Sequence, residues 1–558
     1  MKIKMIRTQT CSLSMLARAI LLVVVAPGLV APGRALQAAE AAGAGFYNVR
    51  SFGAAGDGKT LDSPAINKAI ESCAAAGGGT VYLPAGAYLS GSLRLKSNLH
   101  LLLDAGATLV AAPLDMNAYD PAEPFELPAF QDGGHTFFHN SLIWGENLTN
   151  VSITGQGVIN GAAMPIAPAL INRIIGSDGL GPRHAAEPRP SDINALRIGN
   201  KSIALKLCRG VLVRDLTILH GGHFAILATG CDCMALDNLT IDTDRDGIDI
   251  DCCRNTTVSN CRINSPDDDA LVPKSSFALG RNVITENLTI INCQVSGFEE
   301  GTLVDGTMKP SRRQYGRIKF GTEANGGFRN VTVANCTFRS CRGLALEEVD
   351  GGIMENITIN NIAMMDVVGY PIYLTLGNRN RGPNVTTASR MRNILISNLI
   401  ATGIDKTSGI QITGTSQQPI EAVRLQNIRL QFKGGGTRQD ATGTPAELDA
   451  GYPDPSYLGV MPAYGVFARH VKGLEMADIR LGFDTEDLRP ALVGVDVDGL
   501  ELDNFEAQVA RDVVPARLEG VKGLLVRNSP ILQGIQGDTP LPQGAPKTQH
   551  GTGMINSD

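Results

Sequence analysis

From about residue 200 onward the chain alternates apolar and polar positions in short runs such as "NLTIINCQV" and "NVTVANCTF". Period-two alternation predicts strands with one buried face. A short phrase recurs along these runs: an apolar residue, any residue, Asn or Asp, then as a rule another apolar residue. It reads "VRDL", "LDNL", "VSNC", "IINC", "VANC", "INNI", "ISNL", "LQNI", "MADI", "LDNF" and "VRNS". The Asn/Asp positions are Asp215, Asn238, Asn260, Asn292, Asn335, Asn361, Asn398, Asn427, Asp478, Asn504 and Asn528, and their shortest intervals are 22 to 26 residues. One such strand cannot bury its apolar face alone, whereas stacked coils of this length can, with the Asn side chains laddering at each turn. The pattern therefore predicts an all-β, single-stranded right-handed parallel β-helix with strands about 4.8 Å apart between coils. A leucine-rich solenoid would need a regular Leu lattice, and a propeller would need blades of about 40–45 residues; neither pattern is present.

Ahead of the coils, "AINKAIESCAAAGGGTVYLPAG" reads as a short amphipathic helix followed by a strand, placed to cap the open end of the solenoid. Long irregular inserts near 161–200 and 432–465 interrupt the pattern, and loops of that length usually carry function or cover something. At the start, "MKIKMIR" is basic, "AILLVVVAPGLVAPG" is apolar and "ALQAAEAAGAG" supplies small residues. That order predicts a secretory signal over 1–41, a β-helix domain over 42–545 and a flexible tail over 546–558. The mature chain is expected to be secreted or periplasmic, monomeric and without a membrane span.

Composition narrows the partners. Hydrophobic residues make up 43% of the chain, enough for a large core, and a net charge of −6 with no Lys/Arg stripe excludes nucleic acid. The ten cysteines after Cys11 are expected to be buried small apolar residues or disulfides, since "CDC" and "CC" lack the histidines and pair spacing of a metal site. No metal and no cofactor is expected.

Two acidic knots stand out against that mild charge: "DTDRDGIDIDCC" at 242–253 and "SPDDDALVPKS" at 265–275. Asp246 lies eight residues after Asn238, and Asp268 eight after Asn260. An equal offset from the ladder predicts one column on consecutive rungs, with Asp269 alongside. The same count adds His223 and Glu300, giving a column His223, Asp246, Asp268, Glu300. Crowded carboxylates repel, which pushes some pKa values up and separates an acid from a base. Glycosidic bond cleavage needs such a pair. Asp242, Asp244, Asp249, Asp251 and Asp267 are expected to be acidic turn residues that cap coil ends or bind calcium.

These residues carry a resemblance. "DRDGIDIDCCRN" followed by "DDALVPKS" resembles the NTDG-x-D and GDD-x-x-x-x-KS signatures of glycoside hydrolase family 28, the polygalacturonases and rhamnogalacturonan hydrolases, whose fold is the pectin-lyase-like solenoid. The segments "FGAAGDGKTLDSPAINKAIESCAAAGGGTVYLPAGAYLSGSL" and "LIWGENLTNVSITGQGVING" look like that family's opening coils, so the resemblance runs from about residue 46 to at least 365. It implies inverting hydrolysis of a pectic polysaccharide. Asp268 would protonate the leaving oxygen, and Asp246 and Asp269 would position and deprotonate the water. Lys274 matches the family's KS position and would line the site. The chain departs from the family in two places. Its motif begins with Asp244 rather than Asn, and where polygalacturonases place Gly-His-Gly it has "GFEEGTL", with Glu300 at the counted position and His223 the other candidate for the site. The Arg-x-Lys that grips a galacturonate carboxylate falls on Arg317 and Lys319 by literal match, or on Ala345 and Glu347 by coil counting; the second placement would shift preference toward a neutral sugar such as rhamnose. The second insert, with Tyr452, Tyr457 and Tyr464, is placed to wall off one end of the groove; exposed tyrosines suit sugar stacking, though packing of the loop itself is the more usual role, and a closed groove would favour exo-action.

Two rival readings use the same residues differently. A pectate lyase would use the acids to hold calcium and eliminate across the bond, whereas a non-catalytic solenoid would bind glycan without turnover.

Overall fold

Inward and outward positions alternate as the pattern requires: Met234 and Leu236 of the Asp232–Asp237 strand are buried in the core, as are Thr256 and Val258 of Arg254–Ser259. The computed structural model describes residues 45–123, 135, 137–164, 201–383, 385–447 and 449–537. The expected signal (1–41), the C-terminal tail (546–558) and most of the first insert lie outside the described residues. Strands pair in parallel with their counterparts one coil on, in register Leu236↔Val258, Ile241↔Ile263 and Ile248↔Leu271. A regular coil holds three strands, for example Asp232–Asp237, Thr240–Asp242 and Asp246–Asp251. The chain is thus a parallel β-helix whose third face, across six coils, is a separate sheet of Leu93–Arg94, Ile143–Glu146, Lys201–Lys206, Phe224–Thr229, Asp246–Asp251 and Leu271–Lys274.

The ladder residues explain the corners. All eleven have φ between 48° and 65°, the left-handed region that Asn and Asp tolerate better than other residues with a Cβ. Their amides then stack: Asn335 Nδ2 donates to Asn292 Oδ1 at 3.2 Å, Asn361 to Asn335 at 3.0 Å and Asn427 to Asn398 at 2.8 Å. A second ladder, not singled out from the sequence, runs along another corner through Asn255, Asn287, Asn330, Asn356 and Asn393, with bonds of 3.0–3.3 Å. Gly210, Cys233, Ala422 and Gly473 hold the same corner in other coils, all at positive φ. Their varied chemistry hides that repeat from a search for Asn.

Inside, one aliphatic column runs Ile153, Val213, Leu236, Val258, Ile290, Val333 and Ile359, each opposite the next in register and nearly fully buried. Each such side chain contributes roughly 1.5–3 kcal/mol by leaving water. The helix Ser63–Ala75 starts with Pro64 in its first turn and buries Ile66, Ala69, Ile70 and Cys73, one face at helical spacing, against the first coils. The described cysteines are free thiols, buried except for Cys233, so they serve as small core residues rather than disulfides. No helix among the described residues is long and apolar enough to cross a membrane.

Candidate active site

The Asp246–Asp251 strand turns Ile248 and Ile250 into the core, which sends Asp249 and Asp251 to the outer face of the six-stranded sheet. Both are nevertheless fully buried, because His135 lies over them, 3.6 Å from Asp249 and 3.8 Å from Asp251. Asp246 begins this strand, and its true partner one coil earlier is Phe224. One coil later, the register Ile248↔Leu271 sets it opposite Asp269. The fixed offset of eight is off by one on either side because the turn into Asp246 has three residues, 243–245, whereas the turns into Phe224 and Asp269 have four. Asp268 therefore projects from the end of a turn into the same cleft, and Asp246, Asp268 and Asp269 bring carboxylate oxygens within 4.8 Å of one another.

His223 and Glu300 do not join this column. His223 is buried with its ring edge-on to Phe224 at 4.5 Å. Glu300 sits in the loop 297–316, which replaces a direct link between strands and is moored on Asp242, whose carboxylate accepts the N–H groups of Gly301, Leu303 and Val304 at 3.0–3.1 Å. There Glu300 pairs with His220 at 3.0 Å. After this loop, Ile318 pairs with Leu271, so Arg317 and Lys319 lie on the rung following Asp269, and Ala345 and Glu347 lie one rung further, where coil counting put them. It is the literal pair, Arg317 and Lys319, whose side chains reach the Asp269 carboxylate.

Charges in the cluster are graded. Arg317 Nε donates to Asp269 Oδ1 at 2.7 Å and Lys319 Nζ to Oδ2 at 2.8 Å. Burial alone would raise the Asp269 carboxyl, but these two cations outweigh it and hold it well below the usual carboxylate range. Asp246 meets the opposite fate: burial above all, then the charges of Asp268 and Asp249, push it well up against the pull of Lys274 and Arg245. Asp249 is pushed up to about 7, again chiefly by burial. Asp268 is the most open of the three, and Arg245 Nη2 stands 2.9 Å from its Oδ2.

Lys274 ties the cluster to its surroundings. Its Nζ lies 3.2 Å from Asp249, 3.4 Å from Glu323, 3.8 Å from Asp246 and 3.0 Å from His135 Nε2. Glu323 also accepts from Arg381 Nη1 at 2.7 Å. Asp249, Glu323 and His135 were not among the candidates from sequence. Alternation along "DGIDID" marks Asp249 as outward-facing, and Glu323 follows closely on "RIK", but His135 comes from a distant loop with no local signal. Asp251, by contrast, is an anchor as expected, accepting from Ser276 N at 2.7 Å and Oγ at 2.6 Å.

The second insert folds onto the coils beyond Lys319. Leu458, Met461 and Ala463 cover Ala345, Tyr373, Phe467 and Val493. Tyr373 donates to Pro453 O at 2.6 Å and Arg342 to Asp454 Oδ2 at 2.8 Å. Tyr452 and Tyr457 are exposed, with Tyr452 facing Arg379 at 5.9 Å. Tyr464 takes the packing role rather than the stacking one: it is fully buried between Phe432 and Phe483, with its hydroxyl on Gln508 O at 2.6 Å. The three-carboxylate cluster is close enough to share a divalent cation, but Arg317, Lys319 and Arg245 already occupy three of its oxygens.

The family described as "Rhamnogalacturonase A/epimerase, pectate lyase-like" matches residues 46–167, and that described as "Right handed beta helix region" matches 201–380. A probable polygalacturonase of Vitis vinifera is 25% identical over 367 residues, 59% of this chain and 69% of that one. An exo-poly-alpha-D-galacturonosidase of Dickeya chrysanthemi is 34% identical over 120 residues, 20% of this chain and 19% of its own. A 64-residue stretch is 52% identical to mannuronan C5-epimerase AlgE2 of Azotobacter vinelandii, covering 10% of this chain and 6% of the epimerase. The crystal structure of an exopolygalacturonase from Thermotoga maritima superposes with a TM-score of 0.56 at 20% identity over 78% of this chain and 91% of that one, a likeness of fold.

Proposed function

We propose that the chain is a polygalacturonase-like glycosidase of the family 28 kind and hydrolyses the backbone of a pectic polysaccharide, polygalacturonan or rhamnogalacturonan, with Asp246, Asp268 and Asp269 as its acid–base set. The observation that carries this reading is the meeting of three carboxylates, from Asp246, Asp268 and Asp269, with oxygens within 4.8 Å of one another in one cluster of unequal charge environments. Asp246 is buried and pushed toward its protonated form, while Asp269 is held ionised by Arg317 and Lys319. Hydrolysis of a glycosidic bond needs one group to give a proton and another to take one. In this reading Asp268, open to the cleft, protonates the leaving oxygen, ionised Asp269 takes a proton from the attacking water, and Asp246, held toward its protonated form, orients that water rather than deprotonating it. Lys274 fixes Asp246 and Asp249, and Arg317 and Lys319 face the sugar from the next rung.

Exo-action is supported by what flanks the cluster. The second insert packs over Ala345 and Tyr373, on the rungs beyond Lys319, which is the side on which a covered cleft end would favour release from a chain end. Inversion is tested separately. The carboxylate oxygens approach within 4.8 Å, closer than the roughly 6.5–9.5 Å of most inverting pairs. Proton NMR of the first-formed anomer reads the stereochemistry.

The test is release of reducing sugar from polygalacturonan and rhamnogalacturonan, in chelator, beside Asp268→Asn. Turnover that survives chelator and is lost in the variant is the expected result. An unsaturated, ultraviolet-absorbing product lost in chelator would replace this reading with the lyase. Glycan binding without turnover would replace it with a binding module.

A further inference from the structure

Every carboxylate of the cluster has a cation assigned to it, and the one at Asp268 comes from the residue next to Asp246. Arg245 reaches across the rung boundary to put Nη2 2.9 Å from Asp268 Oδ2, and its side chain is only 16% exposed. The other oxygen, Oδ1, accepts the Asp269 N–H at 3.0 Å, so the carboxylate is fixed at both ends. The backbones beneath are stitched as well. Buried Ser265 donates through Oγ to Arg245 O at 2.6 Å and lies 3.0 Å from Asp268 O, and Asp267 N–H donates to Asp244 O at 3.0 Å. This arrangement is rigid, and it points a charged group at the most solvent-open acid of the site.

Resting on the hydrolase reading above, we propose that Arg245 is a positioning residue of the reaction, which orients the Asp268 carboxyl toward the cleft and sets the charge it carries when substrate arrives. Asp246 and Asp269 face Asp268 with oxygens within 4.8 Å, and Asp249 and Tyr452 are further titratable groups turned toward it. With Arg245 removed, like charges dominate Asp268; with it present, a guanidinium at hydrogen-bond distance opposes them. Arginine suits this role better than lysine, because its planar fork holds a direction as well as a charge.

The test compares Arg245→Gln and Arg245→Lys with the wild-type full chain, each first checked for an unchanged melting temperature. On the pectic polymer that the wild type hydrolyses, Arg245→Gln is expected to lower kcat by about 10–100-fold with KM changed less than about threefold. The limb of the kcat/KM profile governed by Asp268 should move up by about one pH unit, as expected when an opposite charge is lost. The alkaline limb moves if Asp268 acts as the acid, and the acid limb if it acts as the base. Arg245→Lys should restore the limb but only part of kcat. A fall in activity with both limbs unmoved would overturn the proposal and leave Arg245 a packing residue. A readout without turnover separates this from the hydrolase reading: the pH dependence of carbodiimide labelling of the Asp268 peptide, by mass spectrometry. Labelling that persists to higher pH in Arg245→Gln supports the proposal even where no polymer is cleaved. Identical labelling curves overturn it even where the wild type is an active hydrolase.

Discussion

Arg317 Nε donates to Asp269 Oδ1 at 2.7 Å while its Nη2 stands 3.7 Å from Glu347 Oε1, so one buried guanidinium is shared by carboxylates on the rungs either side of it. Removing one partner from a buried ionic group costs more than the group contributes when intact, because the remaining charge has no water to turn to. Arg317→Leu is therefore expected to destabilise the protein by about 3–5 kcal/mol and to abolish hydrolysis, whereas Arg317→Lys loses less stability. Urea unfolding of the three proteins reads the difference. Equal stability of wild type and Arg317→Leu would sink the idea that this guanidinium holds the two rungs together.

Glu347 makes the stability of this region depend on pH. It is fully buried, neither oxygen has a hydrogen-bond partner, and burial pushes its carboxyl up from 4.5 to about 7 against Lys319 and Arg317. A carboxyl whose folded pKa is raised binds its proton more tightly folded than unfolded. Its contribution is whole below pH 4.5, shrinks by up to about 1.4 kcal/mol per unit between 4.5 and 7, and is flat above that. Glu347→Gln should remove this slope, so its melting temperature should exceed the wild type's by more at pH 8 than at pH 5. A constant difference across that range would mean that Glu347 does not titrate there.

The architecture was legible from the chain because the repeat is written in residues that the backbone itself demands. Asn at positive φ is a stereochemical requirement at each corner, and it recurs wherever the corner does. The site was legible as far as a residue's neighbours in sequence are its neighbours in space: Asp246, Asp268, Asp269 and Lys274 come from two adjacent coils. Counting failed where turn length varied. A single residue's difference between the turns into Phe224 and Asp246 displaced His223, and the 297–316 loop displaced Glu300. The burial of Asp249 depends on His135, a residue more than a hundred positions away in the chain that lies over the sheet, which no periodicity records.

His220 and Glu300 tether the 297–316 loop in a pH-dependent way. The hydrogen bond that His220 donates to Glu300 raises its pKa above 6.5, against partial burial. A histidine raised in the folded state stabilises fully below pH 6.5 and loses that contribution as pH rises through its folded value. The loop should therefore resist proteolysis better at pH 5.5 than at pH 8.5. His220→Gln should remove the difference, and an unchanged pH dependence in that variant would assign the effect to another group.

Asn335 sits mid-ladder, donating to Asn292 and accepting from Asn361, at φ 56°. Asn335→Ala loses both bonds and places a Cβ residue with no local hydrogen bond in the left-handed region; a cost of about 1–2 kcal/mol is expected. Asn335→Gly loses the bonds without the strain and should fall between alanine and wild type in thermal unfolding. Glycine no better than alanine would show that the ladder matters through its amides alone.

Two tyrosines of one insert separate binding from architecture. Tyr452 is 40% exposed beside Arg379, and an aromatic face there can stack on a sugar. Tyr464 is 0% exposed, wedged between Phe432 and Phe483 with its hydroxyl on Gln508 O. Tyr452→Ala should raise KM several-fold, with kcat and melting temperature nearly unchanged. Tyr464→Ala should open a cavity and orphan a buried carbonyl, costing about 3–5 kcal/mol while leaving KM alone in whatever fraction folds. Steady-state kinetics on an oligosaccharide of the cleaved polymer, run beside thermal unfolding, reads both. If Tyr452→Ala left KM unchanged, sugar contact would pass to other groups, and the insert would act only by closing one end of the cleft. That role is read independently from product length, because an exo-enzyme releases short products from the start, whereas an opened cleft yields a ladder of intermediate sizes.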